Sequence, residues 1–147
     1  MSDINYKLIS LNAIVTKNKP GTLVDLDINK ICGENNIKFN STKSFYITNL
    51  DSIQSRGNHS NSNASEILVC LKGMFDLTLF NGIKYEKVTL KENDMIYIDK
   101  NIWLELNNFK DCIILAFVSI CKTEKKSCYD IDDYKREFGN LPTVNNL

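Results

Sequence analysis

Short apolar runs alternate with polar turns along most of the chain. Residues 8–15 read as a first strand, followed by a turn over 17–21 that Pro20-Gly21 punctuates. Over 22–28, Leu23, Val24, Leu26 and Ile28 are set off by Asp25 and Asp27, the pattern of a half-buried strand. Residues 43–48 are rich in aromatic and β-branched side chains and predict another strand. Residues 49–65 form a polar tract. An apolar, strand-like run over 66–71 closes at Lys72-Gly73, and 75–80 follows it. Asn81-Gly82 is the strongest hairpin signal in the chain, with 85–90 as the returning strand. After a turn over 91–94, the runs 95–98, 103–106 and 112–118 complete the series.

Turn signals thus recur about every eight to twelve residues, and no convincing amphipathic helix precedes residue 129. That spacing predicts an all-β sandwich or barrel. The character changes after Ser119. Residues 122–126 are a charged loop. Residues 130–138 begin with acidic side chains and continue with basic ones, which suits the dipole of a short helix. The tail from Gly139 is expected to fray. No repeat or linker divides the chain, so 1–147 is read as a single domain, with a barrel over about 8–119 and a loop and short helix over about 120–138.

Composition narrows the function. The 147 residues are 43% hydrophobic, enough for one ordinary core. Eighteen basic residues balance eighteen acidic ones, so no net field favours nucleic acid or an anionic membrane, and an anionic ligand must be held by local residues. The longest apolar stretch, 112–121, is too short to span a bilayer, and 1–7 has no signal-peptide pattern, so a cytoplasmic protein is expected. The five cysteines form no Cys-x-x-Cys pair, and Cys70 and Cys112 lie in apolar runs as expected buried thiols. A single histidine rules out a three-histidine metal site, and no glycine-rich phosphate loop is present. No cofactor is expected.

The remaining candidate chemistry is Arg56-Gly57-Asn58-His59-Ser60-Asn61, leading into Glu66-Ile67-Leu68-Val69-Cys70-Leu71-Lys72-Gly73. Histidine is the natural general base near neutral pH, and arginine can grip two oxygens of a pyrophosphate at once. If the stretch is extended, His59, Asn61 and Asn63 share a face. A polar loop with one solvated histidine fits the same residues.

This segment resembles the sugar 3,4-ketoisomerases of the cupin superfamily, WxcM-like and RmlC-like barrels that act on dTDP-4-oxo-6-deoxyglucose. Their signature runs Arg-Gly-x-His-Ala-His, then a Gln ahead of Val-Leu-Val-Cys-Leu-x-Gly. Arg56, Gly57, His59, Leu68, Val69, Cys70, Leu71 and Gly73 match in register. Gly21-Thr22-Leu23-Val24, Phe45-Tyr46-Ile47, Ile96-Tyr97-Ile98 with Ile102-Trp103, and Tyr129-Asp130 with Asp133-Tyr134 look like further motifs of the family, in the same order. The resemblance implies a cupin β-barrel, or jelly roll, with a short C-terminal helix. It also implies a metal-independent sugar-nucleotide isomerase, or a related epimerase, in deoxysugar biosynthesis for cell-surface polysaccharide such as lipopolysaccharide. A homodimer is implied too, with exchange of N-terminal strands possible over 8–15.

The departures bear on mechanism. Asn61 stands where the family has its second histidine, and Glu66 where it has glutamine. Pro20 replaces the arginine of the first turn, Leu104 replaces a polar residue, and a loop near 120–128 is inserted. A 3,4-ketoisomerase moves a carbonyl through an enediol, so one group handles the carbon-bound proton and another shuttles the hydroxyl proton. His59 is the expected base, and Glu66 the expected shuttle if it faces the barrel with a raised pKa. A surface position at the strand start is the plainer reading of Glu66. Arg56 and Asn61 are expected to bind substrate, as are Tyr46, Tyr97 and Trp103 by stacking on the nucleotide. Core packing is the other role open to Trp103. Two alternatives remain for the whole chain: a cupin that binds a nucleotide sugar without turning it over, or a structural partner in the pathway with no ligand of its own.

Overall fold

The computed structural model describes residues 3–16, 20–119 and 125–139. The 17–21 turn and the 120–128 loop lie partly outside these residues, as does the charged loop over 122–126, and the tail beyond Gly139 wholly so.

The strands are β1 (Tyr6–Ser10), β2 (Val15–Thr16), β3 (Leu23–Val24), β4 (Ser41–Ile47), β5 (Ser55–Asn61), β6 (Glu66–Phe80), β7 (Tyr85–Lys91), β8 (Asp94–Ile98), β9 (Trp103–Ser119) and β10 (Ser127–Cys128). Among the described residues the helices α1 (Ile28–Glu34) and α2 (Ile131–Phe138) accompany them. β6 and β9 are the spine, paired antiparallel from Glu66 opposite Val118 to Phe80 opposite Trp103. β8 and β7 pair in succession with β6, and β4 and β5 with β9. β1 continues the sheet beyond β8, and β10 beyond β5. The all-β reading holds, with a short C-terminal helix.

Alternation along these strands builds two cores. Leu68, Cys70, Ile96, Ile98, Ile114 and Ala116 face one side of the sheet, where they meet Phe75, Leu77, Leu79 and Leu90. Ile67, Val69, Met95, Leu115 and Phe117 face the other side, where α1 covers them with Ile28, Ile31 and Cys32. Burial on both faces explains why residues 67–70 read as a continuous apolar run rather than an alternating one. Cys70 and Cys112 are buried thiols, as expected, and burial pushes them up to about 12 and about 11. None of the described helices is long and apolar enough to cross a membrane.

Several elements differ from the sequence expectation. The first strand ends at Ser10, followed by a 3-10 turn over Asn12–Ile14. The alternating run at 22–28 forms only the two-residue strand β3 and then the start of α1, so a helix does precede residue 129. Asp27 caps it by accepting from the Lys30 amide, and Ile28, Ile31 and Cys32 have the spacing of one helical face. Seven residues are too few for that signal to outweigh the alternation before it. The polar tract contains β5, a strand held by pairing with β9 rather than by apolar side chains of its own.

Lys72-Gly73 does not end a strand. It is an irregularity within β6, opposite the corresponding bend in β9, which likewise runs unbroken from 103 to 119. Gly73 has φ +71°, and an added Cβ would lie 2.0 Å from the Lys110 carbonyl oxygen.

α2 closes one end of the sheet. Tyr134 is completely buried against Phe80, Trp103 and Phe138. Its hydroxyl proton is shared between the carbonyl oxygens of Phe80 at 2.9 Å and Asn101 at 2.7 Å. Asp130 caps the helix through the Asp132 and Asp133 amides.

Gly73→Ala is expected to destabilise the fold by more than about 2 kcal/mol, because it combines a left-handed backbone with a clash against main chain. Urea unfolding followed by tryptophan fluorescence measures the loss.

Candidate active site

A cavity of about 350 Å³ opens between β4, β5, β6 and β9, within the range of small-molecule sites. Its wall is apolar on one side, with Phe45, Ile47, Leu68, Leu104 and Leu106. Arg56, His59, Glu66, Lys125 and Tyr129 supply the polar side. The two cations, Arg56 and Lys125, give this neutral protein a local site for an anion.

A bulge in β5 places His59. Gly57 pairs with Glu105 and His59 with Leu104, so Asn58 is the extra residue. Gly57 and Asn58 both take positive φ, +87° and +49°. A Cβ on Gly57 would come within 2.9 Å of the Leu104 side chain. The Arg-Gly-Asn-His sequence is therefore the sequence of a bulge that packs tightly on β9.

Glu66 is the first residue of β6 and is only 4% exposed. It faces the cavity and is not a surface residue. Its Oε1 lies 3.3 Å from His59 Nε2 and accepts from Asn61 Nδ2 at 2.6 Å. Burial pushes this carboxyl up. The hydrogen bond and charge of His59 together with the Asn61 amide and the Lys125 charge outweigh that, and hold it below its ordinary value. The raised pKa expected of a shuttle is not found, and the carboxylate is ionised at neutral pH. A carboxylate can only accept, so Nε2 is the donor in this contact, and in a neutral His59 the lone pair is then on Nδ1.

Asn61 shares the face of His59, but it stands behind Glu66 and not on the cavity wall. It is 4% exposed, and its Oδ1 accepts from Ser127 Oγ at 2.7 Å. Both ends of its amide are occupied inside the protein. The structure does not bring the three aromatic candidates to the cavity. Tyr46 is 72% exposed on the opposite face of β4 from Phe45 and Ile47. Tyr97 packs edge-on against Phe39 in the outer core. Trp103 is buried under α2 and donates from Nε1 to Glu105 at 3.0 Å. Pro20 is exposed and away from the cavity, whereas Leu104 is in its wall. Alternation alone decides Tyr46: Phe45 and Ile47 point inward, so the residue between them points out.

Lys125 and Tyr129 were not picked out as site residues by sequence reasoning. Tyr129 had a signal, since it opens the C-terminal Tyr-Asp motif, and its ring lies 5.8 Å from that of His59. Lys125 lay within a charged loop and had none. Pairing of β10 with β5 brings both to the histidine: Ser127 is opposite Asn61, and Cys128 opposite Ser60. Among the described residues, no group of three or more His, Cys, Asp or Glu side chains is placed to hold a metal ion.

Residues 4–141 match the family model described as FdtA: WxcM-like, C-terminal. The chain belongs to this WxcM-like family. A curated relative, TDP-4-oxo-6-deoxy-alpha-D-glucose-3,4-oxoisomerase of Aneurinibacillus thermoaerophilus, is 28% identical over 137 residues, covering 92% of this chain and 88% of its own. Among solved structures, WlaRA, a TDP-fucose-3,4-ketoisomerase from Campylobacter jejuni, is 27% identical with a TM-score of 0.74, covering 94% of this chain and 98% of its own. QdtA, a sugar 3,4-ketoisomerase from Thermoanaerobacterium thermosaccharolyticum solved in complex with TDP, is 26% identical with a TM-score of 0.75, covering 91% and 94%. For the WxcM-like chain described here, these likenesses agree with the cupin reading of the barrel.

The Glu66 pKa sets an acid dependence with a definite sign. A carboxyl lowered on folding contributes stability that is complete above its ordinary value of 4.5 and is lost as pH falls through the lower folded value. Glu66→Gln is expected to flatten that part of the acid limb. Urea unfolding free energies measured stepwise below pH 5, on the variant and the parent, test this; parallel curves would contradict it.

Proposed function

We propose that this protein is a metal-independent sugar-nucleotide 3,4-ketoisomerase acting on a TDP-linked 4-keto-6-deoxyhexose, in deoxysugar biosynthesis. The carrying observation is the His59–Glu66 pair opening on a cavity with Arg56 and Lys125 beside it, in a chain whose relatives are named as 3,4-ketoisomerases.

The geometry suits the carbon half of the reaction. A sugar carbonyl at C4 acidifies the C3 proton. Nδ1 of His59 takes that proton, and the Glu66 carboxylate stabilises the imidazolium that results. The same nitrogen returns a proton to C4, on the same face of the ring, so one base serves both carbons. The apolar wall offers a surface for the sugar ring, and Arg56 suits the diphosphate. TDP is the nucleotide expected, from the relatives' names, and the configuration at C4 of the product follows from the face that His59 approaches.

We read the active form as a homodimer. β1 is an edge strand of the sheet, and Leu8, Leu23 and Leu71 are exposed apolar side chains. An uncovered edge and exposed leucines favour a second copy. Light scattering on the purified protein is expected to return a dimer mass.

The second reading, a nucleotide-sugar binder without turnover, draws on Asn61, which cannot carry a proton. One experiment separates the two. The protein is incubated in deuterated water with TDP-4-keto-6-deoxyglucose, and the product is followed by NMR. Deuterium at C3 of remaining substrate or at C4 of a 3-keto product is expected, with His59→Gln slower by about 10²–10⁴-fold. Binding without exchange or product would leave the binder reading.

A further inference from the structure

Moving a carbonyl from C4 to C3 transfers two protons, one between carbons and one between oxygens. His59 has one available nitrogen, and it serves the carbons. The oxygen proton needs a second carrier. Arg56 does not release a proton under any condition the protein meets. Glu66 accepts from His59 and Asn61 at Oε1, and with them the carboxyl is held below its ordinary value, so at neutral pH it stays an acceptor and carries no proton. Asn61 has both ends engaged and no exchangeable acid or base.

We propose that Lys125 is this second carrier, the group that passes a proton between O3 and O4 of the sugar. Lys125 lines the same cavity as His59. The residues after it fix its place: Lys126 donates its amide to Asn63 Oδ1 at 2.8 Å, and its carbonyl accepts from Ser62 at 3.0 Å. Ser127 then pairs with Asn61 and bonds its side chain. Two departures from the ketoisomerase pattern, Asn61 and the inserted segment, therefore meet in space. Asn61 no longer carries a proton; it ties down the segment that presents an ammonium group to the cavity.

The step balances without any co-reactant. His59 removes the proton on C3 to give the enolate, and Lys125 then gives a proton to O4 to complete the enediol. The neutral amine then takes the proton from O3 as His59 protonates C4. Both side chains end as they began, with a 3-keto, 4-hydroxy sugar. The inference rests on the isomerase reading.

Deuterium exchange at C3 needs His59 but not transfer between oxygens, and this separates the roles. Lys125→Met, Lys125→Arg and Tyr129→Phe are assayed with TDP-4-keto-6-deoxyglucose in deuterated water, following exchange into substrate and formation of 3-keto product together. Lys125→Met is expected to lower product formation by at least about 100-fold while C3 exchange falls by less than about tenfold. Lys125→Arg keeps the charge without a proton to give and is expected not to restore product. Equal loss of exchange and product, full product with Lys125→Met, or rescue by Lys125→Arg each overturns the assignment. So does selective loss of product in Tyr129→Phe with Lys125→Met intact, which gives the role to Tyr129. A parent protein with neither exchange nor product overturns the isomerase reading instead.

Discussion

The long antiparallel ladder between β6 and β9 is the constraint on which the rest of the molecule depends. Every other strand of the large sheet is placed by one of these two, directly or through a neighbour. Each changes partner partway along its other edge, β6 from β8 to β7 and β9 from β4 to β5. The irregularities around Gly73 let the ladder bend without breaking. One inner face can then both pack a core and leave a cavity at its β5 end.

At that end, the cost of burying one carboxylate organises the site. A charge as enclosed as that of Glu66 is tolerated only with good partners. Its partners are His59, whose Nε2 it faces, and Asn61, whose amide spans from Glu66 to Ser127. Electrostatics, hydrogen bonding and chain path are thus one problem here. Replacing Asn61 would leave the carboxylate short of a donor and β10 short of a tether.

The family comparison gains meaning from this geometry. Glu66 holds a histidine as carboxylates do in other acid–base sites, and the cavity is lined to take an uncharged ring beside an anionic group. Leu104 is in the apolar wall and pairs across the strands with His59, so the loss of polarity there changes the cavity surface and leaves the His59–Glu66 contact in place.

By itself, the sequence determined the strands whose pattern is local. β4, β7 and β8, the Asn81-Gly82 hairpin and the C-terminal helix follow from alternation, turn residues and end charges, which act over a few positions. His59 and Arg56 were legible for the same reason, since their bulge is written in consecutive residues. Only the tertiary structure decided β5, which has no apolar pattern and is a strand because β9 pairs with it. It decided too that Glu66 is buried and ionised, that Asn61 faces inward to Ser127, and that Tyr46, Tyr97 and Trp103 are elsewhere. Lys125 and Tyr129 reach the histidine from far along the chain through the pairing of β10 with β5. Such placements depend on partners distant in sequence, and a one-dimensional pattern carries no record of which distant segment closes a pocket.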